Sequence, residues 1–269
     1  MTAAPDPNPY ILVPPNPYPV PGQLPRWQPV PPPTLTPTRP RLVITVAVGD
    51  EGLRTHDLTR ASQQRYAERM GADYVVLGDT TQSWFMLEKF RFKDFVPHYP
   101  GGTICMDADV WVRRDAPDLF DVVPPGRIGV SISDDLSAHG LMPQFAAKLR
   151  EVCDSQGVGV PDGAEDIHWN SGLVVLRPTH AGYWEPPLRP IPKHWISEEL
   201  WSKATTFRAG WQLHDLPHPA THWQHWRDRG WELLGPPLPP FVHPAGLTQQ
   251  AGGLQRRLDL FRALEASGA

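Results

Sequence analysis

Cysteine is nearly missing from this chain of 269 residues, which carries only Cys105 and Cys153. That excludes a disulfide-stapled secreted scaffold. Both thiols sit among apolar residues, the setting of inert buried cysteines. Long apolar runs are missing as well, and no stretch approaches the ~20 residues that span a bilayer as a helix. There is no excess of positive charge either: charged residues make up 20% and the formal net charge is −4. Nucleic acid is therefore not an expected partner, since phosphate backbones are held by concentrated Lys and Arg. The first residues show no basic-then-apolar leader. The expectation is a soluble, cytoplasmic protein without a transmembrane segment, long enough to bury a sizeable core.

Proline is what the sequence has in excess: 34 residues, fifteen of them before Arg41. Proline fixes φ and removes a backbone donor, so residues 1–40 are expected to be an extended arm, largely polyproline II. Two readings stand for it. It is a ligand for an aromatic-lined groove on a partner, or it is a stiff tether or an arm strapped over its own domain by Tyr10, Ile11, Leu12, Tyr18 and Trp27. Its apolar content favours an arm that packs at least in part.

From Arg41 the pattern is that of an alternating α/β domain. Leu42–Val48 is a short apolar run of the kind that forms a strand buried on both faces. It is broken by Gly49-Asp50-Glu51-Gly52. Asp57–Met70 reads as a helix capped by Asp57 and ended by Gly71. Tyr74–Leu77 is a strand, and Ser83–Val96 reads as a helix with Leu87, Phe90 and Phe95 inward. Thr103–Met106, Ile128–Ile132, Leu173–Leu176 and Trp211–Leu216 are further strands. Pro143–Cys153 is a helix with proline near its first position. Ser197–Ala209 is another, with Ser197 as cap, Ile196 and Trp201 as hydrophobic staple and Gly210 beyond its end. Leu254–Leu264 places Leu254, Leu258, Phe261 and Leu264 on one face of a closing amphipathic helix.

The most informative stretch is Tyr99–Phe120, where an apolar strand runs into Asp107-Ala108-Asp109, the one D-x-D of the chain. In an extended chain residues two apart point the same way, so the two carboxylates would aim at one point. Unpaired, they are costly to bury. A hard divalent cation relieves that cost and usually takes phosphate oxygens as well. In open α/β sheets ligands bind at the carboxyl ends of strands. The bland alternative is a solvated turn in which Asp109 pairs with Arg113 or Arg114.

These residues resemble the glycosyltransferases of GT-A fold, most closely the glycogenin and galactosyltransferase-like group. Four stretches carry the resemblance: Leu87-Glu88-Lys89-Phe90; GGTICMDADVWVRRDAPDLF; Trp169-Asn170-Ser171-Gly172 leading into a strand; and Phe241-Val242-His243-Pro244-Ala245-Gly246. They occur in the family's order between about Arg41 and Thr248. The resemblance implies an α/β, mostly parallel mixed sheet flanked by helices over residues 41–269, with the proline-rich arm outside it. It implies that Asp107, Asp109 and His243 hold a divalent metal, with Mn²⁺ favoured over Mg²⁺ by the imidazole. The strand end Ala47, Val48 and Gly49 would receive base and ribose. Lys89 and Gly246 would face the diphosphate, with Asp107 reaching it through the metal, and Asn170, Ser171 and Gly172 would line the donor-sugar pocket.

What the resemblance further implies is a hexosyl transfer, of the retaining type, from a UDP-linked nucleotide-sugar to an acceptor that the sequence leaves open among glycan, protein, lipid and small molecule. The catalytic candidates are Glu199, then Glu198, with Asn170. Two departures stand out. The family's acidic-Gln pair is replaced by Ser197-Glu198-Glu199-Leu200. The family's closing lysine is missing from Pro244–Gln250, so either phosphate binding is weaker or Arg256 or Arg257 substitutes.

Seven of the eleven tryptophans lie between Trp184 and Trp231. Trp195, Trp223 or Trp226 would suit an acceptor groove, although any single tryptophan is more simply core. His214, His218, His222 and His225 have zinc-like spacing only on a helix, which Pro217 and Pro219 oppose. Asp134 and Asp135 could approach the sugar, and Asp166 and His168 flank the Asn170 segment. Two rivals remain. A nucleotidyltransferase would want a Gly-rich basic phosphate loop, of which GDEGLR is a poor version. An inactive binding module would act through the arm.

Overall fold

The computed structural model describes residues 36–78, 85–132, 142–194, 196–216, 239–244 and 253–267. In chain order the elements are β1 (Arg41–Val46), α1 (Gly49–Arg69), β2 (Ala72–Leu77), α2 (Phe85–Glu88), β3 (Gly102–Asp107), β4 (Trp111–Val112), α3 (Leu119–Val122) and β5 (Arg127–Ile132). Then follow α4 (Met142–Ser155), β6 (Trp169–Leu176), α5 (Ser197–Arg208), β7 (Gln212–Asp215), β8 (Phe241–Val242) and α6 (Gly253–Ser267). Six strands form one sheet in the order β2-β1-β3-β6-β5-β7, and β4 pairs with β8 in a small second sheet. β1 is parallel to β2 and β3, and β5 to β7, while β6 runs antiparallel between β3 and β5. The sheet is thus mixed and mostly parallel, flanked by helices.

The apolar runs form central strands because the sheet is covered on both faces. Side chains alternate across it. Leu42, Ile44, Cys105, Val174 and Leu176 enter one core with Phe90, Phe92, Leu149 and Leu200. Val43, Ile104, Met106, Leu173 and Val175 enter the other with Tyr66 and Phe120. Both cysteines are buried and free. By the same alternation Asp107, the last residue of β3, falls on the Cys105 side.

Several elements differ from their sequence expectations. α1 starts at Gly49 rather than Asp57 and has Val48 as its cap, without a side-chain hydrogen bond. Gly49 supplies the positive φ, +65°, that turns the chain directly from strand into helix. The helix read over Ser83–Val96 is instead α2 followed by 3₁₀ segments Lys89–Asp94 and Val96–His98. A three-residue repeat aligns Lys89, Phe92 and Phe95, and Pro97 cannot continue an α-helix. Ser197 lies inside α5, whose cap is Ile196. Its hydroxyl instead donates to the Pro192 carbonyl and accepts from the His194 N–H. β6 starts four residues earlier than the apolar run, so Asn170, Ser171 and Gly172 belong to a strand. The arm to residue 35, Asp134, Asp135, Trp195, Trp223, Trp226, His218, His222, His225 and Gly246 lie outside the described residues. Among the described residues no helix is long and apolar enough to cross a membrane.

α6 closes the fold: Leu258, Phe261 and Leu264 of the expected face are buried, Leu260 joins them, and the Leu254 side chain lies outside the described residues. Leu260, Phe261 and Leu264 pack with Trp111 and Val242 of the small sheet. Glu265 accepts a 2.8 Å hydrogen bond from Trp111 Nε1. Phe261 is fully buried, so Phe261→Ala should lower stability by about 3 kcal/mol or more, read as a fall in denaturant midpoint.

Candidate active site

The site lies at the carboxyl end of β3. Asp107 ends the strand, Ala108 and Asp109 turn away from it, and the Val110 N–H donates to the Asp107 carbonyl at 3.1 Å. The two carboxylates converge through this turn, not through the extended chain that the spacing suggested. His243, just after β8, brings Nε2 to 3.1 Å from Asp109 Oδ1 and 3.7 Å from Asp107 Oδ2. One donor atom from each of Asp107, Asp109 and His243 lies within 4.8 Å of the others.

Cations surround the pair. Lys89 Nζ lies 2.7 Å from Asp107 Oδ1 and 3.3 Å from Glu198 Oε1, and it donates to Ser171 Oγ at 3.3 Å. Arg257 Nη1 of α6 lies 3.1 Å from Asp109 Oδ2. The pairing of Asp109 with Arg113 or Arg114 is not what the structure has: Arg113 engages Asp115. Burial opposes the charge on Asp109, but His243 and Arg257 hold its carboxyl below the usual carboxylate range. Burial likewise opposes the charge on His243, and Asp109 outweighs it, raising the imidazole pKa. Lys89, buried among carboxylates, is held above the ordinary lysine range chiefly by Asp107.

The two glutamates of α5 differ in what they touch. Glu199 accepts the Ser171 N–H at 2.8 Å on Oε2, and its Oε1 lies 3.0 Å from His168 Nε2. Burial raises the Glu199 pKa and His168 overrides it, leaving it lowered. Glu198 uses Oε1 for Lys89 and Ser171, whereas its Oε2 is buried without a hydrogen-bond partner. Burial pushes Glu198 up to about 7, against the pull of Lys89.

Asn170 Oδ1 accepts the Gly172 N–H at 2.7 Å. Gly172 is the seat of His243: a Cβ there would stand 2.1 Å from its Cε1 and 2.7 Å from Nδ1. Ala47 is buried at the end of the β1 path, and Val48 and Gly49 follow it into α1.

Sequence reasoning missed how the turn is held. Gln63 Nε2 donates to the Asp107 and Val110 carbonyls at 3.1 and 2.8 Å, and Thr59 Oγ1 donates to the Ala108 carbonyl. Ser62 Oγ accepts the Val112 N–H. Tyr74 donates to Gln63 Oε1 at 2.9 Å, and His56 stands 2.8 Å from the Tyr74 hydroxyl. Thr59, Ser62 and Gln63 are buried polar residues on one face of α1. The signal was a core-facing stripe at i, i+3 and i+4 that is polar where an apolar one is expected.

The donor set fits a divalent cation. Two carboxylates and an imidazole converge, and the ring is seated where only glycine leaves room. The carboxylate oxygens suit a hard divalent cation.

No protein-family model matches this sequence, and a comparison with curated proteins finds no match. Similar solved structures are glycosyltransferases. One is involved in the glycosylation of the major capsid of PBCV-1 (14% identity, 83% of this chain and 98% of that one, TM-score 0.49). Another is the galactosyltransferase LgtC, in complex with donor and acceptor sugar analogues (12%, 82% and 95%, 0.48). A third is mouse xyloside xylosyltransferase 1 (13%, 77% and 98%, 0.42). These are likenesses of fold at low identity.

Gly172→Ala should push the His243 ring aside. The expected result is at least about a tenfold loss of Mn²⁺ affinity with an unchanged far-UV circular dichroism spectrum. Parental affinity would show that the ring is not a ligand.

Glu198 has its folded pKa raised from 4.5 to about 7. Its contribution to stability is therefore full below about pH 4.5 and is lost as pH rises towards and through 7. Glu198→Gln should gain on the parent by on the order of 2 kcal/mol between pH 5 and 8, as measured by urea unfolding at both pH values.

Proposed function

We propose that this chain is a metal-dependent glycosyltransferase that moves a sugar from a nucleotide-sugar to an acceptor hydroxyl. The observation that carries the reading is the convergence of Asp107, Asp109 and His243 at a strand end, with Lys89 2.7 Å from the first carboxylate. Carboxylates and an imidazole suit a divalent cation, and an adjoining buried ammonium suits the anion that such a cation binds. The proposed donor is UDP-linked and the proposed transfer is a hexosyl transfer with retention, both on the sequence resemblance. Residues 41–269 are proposed as the catalytic domain and residues 1–40 as the arm. Ala47, Val48, Gly49 and Gly246 are proposed for the nucleotide, and Asn170 and Ser171 for the sugar.

In this reaction the bond from the anomeric carbon to the diphosphate oxygen breaks, leaving oxocarbenium-like charge on the sugar. A bond to the acceptor oxygen forms as the acceptor proton departs. A divalent ion held by Asp107, Asp109 and His243 supplies positive charge for the leaving diphosphate. Lys89 adds a fixed positive charge beside it. Of the two glutamates, Glu198 is proposed to face the reacting centre, since it stands beside Lys89, whereas Glu199 holds the Ser171 N–H and pairs with His168. A buried carboxyl with a pKa near neutrality is suited to taking or giving a proton.

The test is thermal stability with Mn²⁺ and UDP, GDP, ADP or CMP, with and without EDTA. Binding to the folded state stabilises it, by about 2.7 kcal/mol at one hundred times Kd. A Mn²⁺-dependent rise with UDP is expected in the parent and should vanish in Asp109→Asn, judged against that variant's own melting temperature without ligand. A variant with parental UDP affinity would overturn the metal role.

A further inference from the structure

The two carboxylates converge only while the turn that carries them keeps its shape. The turn is closed by the Val110 N–H on the Asp107 carbonyl at 3.1 Å, and the two like charges it carries push against that closure. Further support comes from α1. Gln63 Nε2 donates to the carbonyls at both ends of the turn, Asp107 and Val110, at 3.1 and 2.8 Å, and Thr59 Oγ1 donates to the carbonyl of Ala108 between them. Both side chains are fully buried. An apolar residue of the same volume would fill this face of α1 without desolvating an amide, so packing alone does not account for a glutamine here.

The amide also has its direction fixed. Only its NH₂ edge can face two carbonyl oxygens, and that edge has two protons for them. The other edge, Oε1, accepts from the Tyr74 hydroxyl of β2 at 2.9 Å. A phenol that donates to Gln63 turns its lone pairs to His56 Nε2, 2.8 Å away, which places the ring proton on Nε2. Burial, with Arg60 nearby, pushes the His56 pKa down to about 4, so at neutral pH the ring has one proton and gives it to Tyr74. Donation thus runs one way, from His56 through Tyr74 to Gln63 and on to the turn. We infer that Gln63 is a positioning residue of the metal site, aimed by Tyr74 and His56, and that this buried chain sets how closely the Asp107 and Asp109 carboxylates approach and hence how tightly a divalent cation is held. The inference rests on the reading of Asp107, Asp109 and His243 as metal ligands and adds to it residues of α1 and β2 that act through the backbone of the turn.

This role has a signature that a bond serving the fold alone would not show. Mn²⁺ affinity falls in protein that is still folded, and the losses at Tyr74 and Gln63 do not add. The experiment is titration of the full chain with Mn²⁺, read as the electron paramagnetic resonance signal of free Mn²⁺, well below the melting temperature of each variant. Gln63→Met keeps the volume and loses both donated bonds, and it is expected to bind Mn²⁺ at least about tenfold more weakly than the parent. Tyr74→Phe leaves Gln63 in place and releases its Oε1, and a severalfold loss is expected. The double variant should bind no more weakly than Gln63→Met alone, because Tyr74 acts through Gln63. Tyr66→Phe is the comparison: its hydroxyl, on the same helix, bonds Pro117 and Leu119 outside the turn, so its loss should lower stability and keep parental Mn²⁺ affinity. Parental Mn²⁺ affinity in Gln63→Met or in Tyr74→Phe overturns the inference, as do additive losses in the double variant or an equal loss in Tyr66→Phe. Should Gln63→Met fail to fold, Tyr74→Phe and Tyr66→Phe decide by the same criteria. A parent that binds no Mn²⁺ would instead overturn the metal reading of the site, and this inference with it.

Discussion

The constraint on which the rest depends is the placing of two aspartates, Asp109 buried and Asp107 half-buried, at the carboxyl end of a central strand. Ionised carboxylates in a dry interior are expensive unless paired. The chain meets this with an ammonium, an imidazole and a guanidinium from three separate regions. Lys89 comes from the 3₁₀ segment after α2, His243 from the end of the small sheet and Arg257 from the closing helix. Each of those regions is itself held by apolar packing. Phe90, Phe92 and Phe95 fix the first, and Trp111, Val242 and Phe261 fix the other two. An apolar replacement of comparable volume would hold such a core equally well, so the ionic cluster is better understood as equipment for binding than as a source of stability.

Parts of this were legible in the sequence for a definite reason. The parts of β1, β3 and β6 that are covered on both faces are mainly apolar, which shows as short continuous runs. Asp107 and Asp109 stand out because they end such a run. The 3₁₀ course of residues 89–98 was not legible, because a helical period and a three-residue one differ little over so short and aromatic a stretch. The start of α1 was misplaced because GDEG has the look of a loop, whereas Gly49 at φ +65° makes it the direct entry to a helix.

The least legible features are polar groups that act inside the fold. Thr59, Ser62 and Gln63 look like the solvated side of a helix, yet their side chains bond the backbone of the Asp107–Val112 segment. Gly172 looks like part of a sugar-binding stretch, yet its lack of a Cβ is what seats the His243 ring. Arg257 was visible only as one of two candidates to replace the family's closing lysine, and its pairing with Asp109 was not visible. Each role is a contact between segments distant in sequence, and no local periodicity encodes such contacts.

These contacts divide into two kinds with different consequences. The hydrogen bonds from α1 and the packing of His243 over Gly172 fix where the Asp107–Val110 turn and the imidazole stand. The ion pairs of Asp109 with Arg257 and of Asp107 with Lys89 neutralise charge, and an incoming cation competes with them directly. Geometry is thus held by groups that stay, and charge by groups that can be exchanged. Pre-organisation and affinity are thereby separated. The frame keeps the carboxylates in place, and a cation binding there would have to weaken the cation–carboxylate contacts. A cation bound to a site built in this way would be held less tightly than its ligands alone would allow.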